Sequence, residues 1–307
     1  MKALVTGAAG FVGPHLVHHL TSQGDAVVAL DRHNGPDLLD PDGWIDVVDS
    51  TAPDVIYHLA GWSDVGGSWQ YPLETWRINT EGVISVLAAA RKHKVDRVIV
   101  VSSADIYGIV RPSELPLLES TPVRPRSPYG ASKEGAEAVA RQFHQGWDLG
   151  VIIARPFNHI GPGQSTNFVA PAFADRIARS ELVGSGTLLH GDLSPRRDFT
   201  DVRDVVRAYR LLATHGKVGE TYNICSGADV GMQELLDRLL GESRVPIEVT
   251  TDPDLLRPVD LPVLRGSHDR LTRDTGWNPE ITLEQTLRDV LEDARHRASS
   301  PPIGENS

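Results

Sequence analysis

Lys2-Ala3-Leu4-Val5-Thr6-Gly7-Ala8-Ala9-Gly10-Phe11-Val12-Gly13 carries an apolar run into a turn of three spaced glycines and out into a helical pattern. The apolar run reads as a buried parallel strand, and residues 12–22 behind the turn read as a helix. In such a strand–turn–helix, Gly7 allows the tight turn and Gly10 lets the backbone approach a phosphate. Gly13 lets helix and strand pack closely. The free N–H groups at the helix start, around Phe11 and Val12, then face a pyrophosphate. Gly7, Gly10, Phe11 and Val12 are therefore candidate contacts for a dinucleotide. A ligand-free glycine turn is the alternative, and the strand–turn–helix context argues against it.

Working outward, apolar runs at 26–30, 55–59, 98–102 and 151–155 alternate with helical patterns at 43–51, 72–92 and 129–147. That alternation predicts an α/β fold: a doubly wound parallel sheet. Asp31 ends the second strand, where a carboxylate can accept hydrogen bonds from a ribose diol and would repel a 2′-phosphate, which favours NAD. Arg32 follows and could bind that phosphate, so NADP stays open. Asp37 and Leu38 are candidate adenine neighbours. Leu59-Ala60-Gly61 ends the third strand, where small residues let a cofactor lie close to the backbone. Beyond Asn158 the pattern turns irregular, with helices expected near 168–180, 202–213 and 232–240. The expected division is a dinucleotide-binding domain at 1–157, a substrate lobe with returning sheet elements at 158–297, and a disordered tail at 298–307.

Ser103 and Asp105 follow the fourth strand at the sheet edge where ligands bind. Tyr129-Gly130-Ala131-Ser132-Lys133 sets a phenol and an amine one helical turn apart. A free tyrosine titrates near ~10, so a neighbouring ammonium and a positive nicotinamide ring are expected to lower it. Ser103 could hydrogen-bond the same substrate oxygen. A lone Tyr-x-x-x-Lys is common by chance. Its place after the glycine turn and the Ser103 strand favours an acid/base unit acting at a carbinol or carbonyl carbon.

Composition excludes several classes. The chain has 307 residues and a formal net charge of −11 with scattered cations, which argues against nucleic acid as a partner. No apolar run is long enough to span a bilayer, and the first strand begins at once, with no pattern of a signal peptide. A cytoplasmic enzyme without a membrane partner is expected. Cys225 stands alone and reads as a packed strand residue. No spacing suggests a metal site.

On Thr6–Gly13, His58-Leu59-Ala60-Gly61, Asn79-Thr80, Ser102–Gly108 and Tyr129-x-x-x-Lys133, the chain resembles the extended short-chain dehydrogenase/reductases, the NAD-dependent epimerase/dehydratase family. The resemblance spans about residues 1–296. It implies Ser103, Tyr129, Lys133 and Asp105 as catalytic residues, and Asn79, Val101 and Pro156 as further cofactor contacts. Arg155–Gln164 and Arg197–Asp204 are similar to segments of nucleotide-sugar enzymes. That likeness implies Ser63, Ser103, Asp105, Asn158, Asn167, Phe168, Val169, Arg197 and Arg257 around a GDP-sugar. The activity implied is NAD(P)H-dependent reduction of the 4-keto group of GDP-4-dehydro-6-deoxy-D-mannose to GDP-D-rhamnose, by a homodimer. A dehydratase needs a base at C5 and an acid at the C6 hydroxyl. Here Asp105 stands where dehydratases carry a glutamate, and Ala104 offers no acid, so reduction is favoured over 4,6-dehydration or epimerisation. A non-catalytic dinucleotide-binding protein is the lesser alternative, since such proteins usually lose the tyrosine or lysine.

Overall fold

The computed structural model describes residues 1–255 and 262–299. Strand β1 (Lys2–Thr6) leads to α1 (Val12–Ser22), and β2 (Ala26–Leu30) to α2 (Pro41–Thr51). From β3 (Val55–His58) the chain passes through α3 (Val65–Ser68), α4 (Pro72–Trp76) and α5 (Gly82–Lys92) to β4 (Arg97–Val101). Then come α6 (Pro128–Trp147), β5 (Val151–Pro156), β6 (Asn158–Ile160), α7 (Val169–Val183), β7 (Gly186–His190) and β8 (Arg196–Asp201). The chain continues with α8 (Val202–His215), β9 (Thr221–Ile224), β10 (Asp229–Gly231) and α9 (Met232–Gly241). It closes with β11 (Ile247–Thr251), β12 (Val263–Leu264), α10 (Asp269–Thr275) and α11 (Leu283–Ser299).

The first sheet is parallel throughout, in the order β2-β1-β3-β4-β5-β9. Its central strands are continuously apolar because helices cover both faces. Leu16 and Leu20 of α1 and Val205 and Tyr209 of α8 pack on one face; Trp44 of α2, Leu87 of α5 and Ala140 of α6 pack on the other. The chain thus leaves β1 toward one face and β3 toward the other. The neighbours β1 and β3 form the switch point of the sheet, outside whose carboxyl ends ligands bind. The glycine turn and Leu59–Gly61 meet there, with Leu59 N–H donating to Thr6 O at 3.3 Å.

The stretch 72–92 departs from the single helix its pattern predicts. A π-turn at Arg77–Glu81 interrupts it and buries Asn79 and Thr80. Thr80 Oγ1 donates to the Ser132 carbonyl at 2.9 Å and Asn79 Nδ2 to Ser132 Oγ at 2.9 Å. These bonds to α6 offset the poorer local helix geometry.

In the second lobe β8 lies between β10 and β12, with β6 also paired to it, while β7 and β11 form a separate parallel ladder. Phe173, Ile177, Leu235, Leu239, Leu287 and Leu291 make its core. Helix α11 runs through Ser299, so residues 298 and 299 belong to a helix rather than to the expected tail; 300–307 lie outside the described residues. Among the described residues no helix is long and apolar enough to cross a membrane.

Candidate active site

The glycine turn is shaped by close backbone contact. Gly7 has φ +72°, and a Cβ there would sit 2.7 Å from Ala60 N; one at Gly13 would sit 2.3 Å from Ala8 O. No side chain caps the N-terminus of α1 at Phe11, so its first N–H groups face the turn without a side-chain acceptor. Ala8 N–H donates to Leu30 O at 2.9 Å, tying the turn to the end of β2. Asp31 sits just beyond, half-buried, its Oδ1 accepting from His33 N–H at 2.7 Å. Arg32 is exposed beside His33. Leu38 packs over Gly82 at the start of α5, and Asp37 is exposed in the same loop.

Beneath the turn, Thr6 Oγ1 accepts from Ala60 N–H at 3.2 Å and shares a hydrogen bond with His58 Nδ1 at 2.9 Å. Burial pushes His58 down to about 3, so it stays neutral and holds the carboxyl edge of β3 in place. Asn79, expected to touch the cofactor, spends its amide inside the protein: Oδ1 accepts from Trp62 N–H at 2.8 Å and Nδ2 donates to Trp62 O at 3.2 Å. It supports Gly61 from behind, where a Cβ would lie 2.6 Å from Asn79 Oδ1. Pro156 is buried at the end of β5 and Ser63 is exposed after Trp62.

Ser103, Tyr129 and Lys133 converge at the same edge. Ser103 caps a short 3₁₀ turn, Ala104–Tyr107, and its hydroxyl stands beside the Tyr129 phenol, where it favours the phenolate. Ser127 caps α6 by accepting from Gly130 N–H, with Pro128 at the first helical position, so Tyr129 lies in the first turn. Ser68 Oγ accepts from Tyr129 N–H at 3.2 Å. Lys133 Nζ donates to Val101 O at 2.9 Å and lies 5.9 Å from the Tyr129 ring centroid.

The expected lowering of the Tyr129 pKa by the Lys133 ammonium is corrected here for the protein's own groups. Burial raises it, and Asp105 adds to the rise by disfavouring a phenolate; only the neighbouring Ser103 hydroxyl opposes them. Lys133, itself held down at about 8 by burial, is already neutral at the pH where so raised a phenol would ionise, so it does not offset the rise. The protein's own groups therefore keep the phenol protonated.

On the substrate side, Asn158 opens β6 opposite Phe199 of β8, and Arg197 lies two residues earlier on that strand. Asn167 and Phe168 are exposed just before α7, which Val169 begins. Arg257 and its neighbours Leu256 and Pro258 lie outside the described residues. Sequence reasoning missed several groups that bridge the halves. Phe11 stacks on His159 with ring centroids 5.9 Å apart, and His15 Nε2 bonds Pro162 O at 2.9 Å. Gln164 Oε1 and Thr200 Oγ1 are buried without a hydrogen-bond partner. No local signal marks these contacts, because each joins segments distant in the chain. Cys225 packs with Phe157 and Leu264, and burial pushes its thiol up, as a packing residue requires. Among the described residues no cluster of His, Cys, Asp and Glu could hold a metal.

The cradle fits a dinucleotide: side chains are excluded at Gly7, Gly13 and Gly61, the helix start is open, and a carboxylate stands at the end of β2. Comparison with known proteins agrees. The chain is 39% identical, over 96% of its length and 98% of the relative's, to GDP-6-deoxy-D-mannose reductase of Pseudomonas aeruginosa. It is 31% identical to the UDP-glucose 4-epimerase of Mycolicibacterium smegmatis, covering 97% of this chain and all of that one (100%). The structure of RMD from Pseudomonas aeruginosa complexed with NADPH superposes with a TM-score of 0.88 at 37% identity, covering 97% of this chain and 100% of that one. Residues 3–225 match the NAD dependent epimerase/dehydratase family. The chain belongs to that family and is an NAD(P)-dependent oxidoreductase of the extended short-chain dehydrogenase/reductase type.

Proposed function

We propose that this enzyme reduces the C4 keto group of GDP-4-dehydro-6-deoxy-D-mannose to give GDP-D-rhamnose. The observation that carries the reading is a buried, protonated Tyr129 beside Ser103, in a chain similar over nearly its whole length to a GDP-6-deoxy-D-mannose reductase. A reduced nicotinamide held in the cradle supplies hydride. Gly7, Gly10, Phe11 and Val12 would hold its pyrophosphate, Asp31 or Arg32 the adenosine ribose end, and Leu59–Gly61 and Val101 the backbone edge beneath it. Ser103 donates a hydrogen bond to the C4 oxygen. Tyr129 gives its proton to that oxygen as charge develops there. Lys133 supplies positive charge beside the phenol.

A proton donor must arrive protonated, and burial keeps the Tyr129 proton on at neutral pH. Asn158, Asn167, Phe168, Val169, Arg197, Arg257 and Ser63 are proposed to surround the GDP-sugar, the cations meeting its diphosphate. Asp105 favours a second reading, 4,6-dehydration, because its carboxylate lies near Tyr129; Ala104 beside it supplies no acid. The enzyme is proposed to act as a homodimer through α4, α5 and α6, where Leu73 (64% exposed), Trp76, Ile84 and Trp147 present apolar surface. A cytoplasmic setting accords with a single cysteine, Cys225, that is free and buried.

The test is to supply the purified enzyme with GDP-4-dehydro-6-deoxy-D-mannose and NADPH or NADH in separate reactions. Loss of nicotinamide absorbance with a GDP-deoxyhexose product supports the reading and ranks the cofactors. No consumption with either, and water loss from GDP-mannose instead, would favour the dehydratase.

A further inference from the structure

One buried ion pair stands behind the acid/base unit and is not used by it. Along α6, Tyr129, Lys133 and Glu137 follow at intervals of one helical turn, all on the buried face. Glu137 is 1% exposed and receives the Arg155 guanidinium in a fork: Nε to Oε1 at 2.7 Å and Nη2 to Oε2 at 2.7 Å. Arg141, one turn further along, donates to Oε2 at 2.9 Å. Arg155 also donates to Tyr107 Oη at 3.0 Å and to Glu119 O at 3.1 Å, which fixes the guanidinium on the far side of the carboxylate. A buried pair of this kind is weak evidence for stability, since an apolar pair of similar volume often serves as well. Its position one turn behind a buried lysine suggests another use.

We propose that Glu137 is a positioning residue for Lys133: an anion locked in place by Arg155 that biases the neighbouring amine toward its charged, hydrogen-bonding form. The proposal rests on the oxidoreductase reading for its purpose but not for its test. Several charged or titratable groups bear on Lys133. On α6 itself they are Tyr129 and Glu137, and on β3, His58; Arg141 and, on β5, Arg155 bear on Glu137, and Asp105 after β4 bears on Tyr129. His58 is held neutral by burial, and Tyr129 keeps its proton. Burial disfavours the Lys133 charge, and Glu137 is the group that opposes burial. With Glu137 neutral, Lys133 would share the interior with an uncompensated Arg155.

The chain has five lysines, Lys2, Lys92, Lys94, Lys133 and Lys217, and all but Lys133 are exposed. Titration of carbon-13-labelled lysine side chains by NMR in the cofactor-free protein therefore reads Lys133 directly, its signal identified by loss in Lys133→Met. Glu137→Gln is expected to lower the Lys133 midpoint by about one pH unit or more. Arg155→Met, which keeps the anion, is expected not to lower it. Structural damage alone would move both variants the same way. Should either single variant fail to fold, Glu137→Met/Arg155→Met removes the pair together, and its midpoint is expected to stay below that of the parent. A parent-like midpoint in the double variant, or equal lowering in both single variants, overturns the proposal. The alkaline limb of kcat/KM should move with the NMR midpoint. If the parent does not reduce the keto sugar at all, the activity reading fails while the lysine titration still decides this one.

Discussion

The two walls of the cleft satisfy their buried polar groups to different degrees. On the wall built by β1, β3, β4 and α6, most polar groups answer another within the protein, although Ser102 Oγ just after β4 is buried without a partner. Thr6 meets His58 and Ala60, Asn79 meets Trp62 and Ser132, and Lys133 meets Val101. On the facing wall, Gln164 Oε1 and Thr200 Oγ1 are buried with no partner. Tyr57 and Tyr209 also lack partners for their hydroxyls, but they belong to the core that packs α1 and α8 on the sheet. A buried polar group left unbonded costs about 1–3 kcal/mol. The wall under the glycine turn is thus largely paired within itself, whereas Gln164 and Thr200 keep unspent bonding capacity on the other. Internal pairing beneath the glycine turn and beside α6, and unspent capacity near β6 and β8, is the division this difference teaches.

Breaking the paired wall should cost most. Tyr129→Phe is expected to lower kcat about 10²–10⁴-fold while leaving dinucleotide affinity near that of the parent, because it removes the proton but not the cradle. Steady-state turnover with separate cofactor titration checks it. Gly13→Ala should weaken dinucleotide binding and lower stability by about 1–3 kcal/mol, since the new methyl meets backbone that cannot step aside. Isothermal titration and denaturant melts report both. Asn79→Ala strands Trp62 N–H and frees Gly61. A loss of about 1–3 kcal/mol with a raised KM for the cofactor is expected, read by denaturant unfolding and cofactor saturation curves.

The smaller effects sharpen the contrast. Lys133 is charged below its midpoint of about 8 and neutral above it, so kcat/KM should fall as pH rises through that value. A profile flat from neutral pH to well above the midpoint would show that the ammonium is not needed. On the opposite wall, Thr200→Val removes a hydroxyl with no protein partner. Thermal stability should hardly change or rise slightly, while KM for the sugar nucleotide rises. An unchanged KM would place Thr200 outside the substrate's reach.

What the sequence disclosed and what it hid follow the same division. The strands, the glycine turn and Tyr129/Lys133 were legible because their signals are local: apolar runs, glycines at a turn and side chains one helical turn apart. The π-turn at Arg77–Glu81 was not legible, because Asn79 and Thr80 are drawn inward by bonds to Trp62 and α6. The upward shift of the Tyr129 pKa was not foreseen because burial and the Asp105 carboxylate depend on tertiary placement, not on the Tyr-x-x-x-Lys spacing. Phe11 against His159, and Glu137 against Arg155, join residues with no periodic relation. In the second lobe the register of β6 on β8 follows from long-range pairing that the irregular sequence there does not announce.

The most direct test of the account follows the label of reduced cofactor carrying deuterium at the transferable position of its nicotinamide. Incubated with the enzyme and GDP-4-dehydro-6-deoxy-D-mannose, it should place deuterium on C4 of the product sugar, one equivalent for each cofactor oxidised, as read by NMR. Product formed with no deuterium at C4, or no product there while a parallel incubation with GDP-mannose loses water, would contradict reduction at this site.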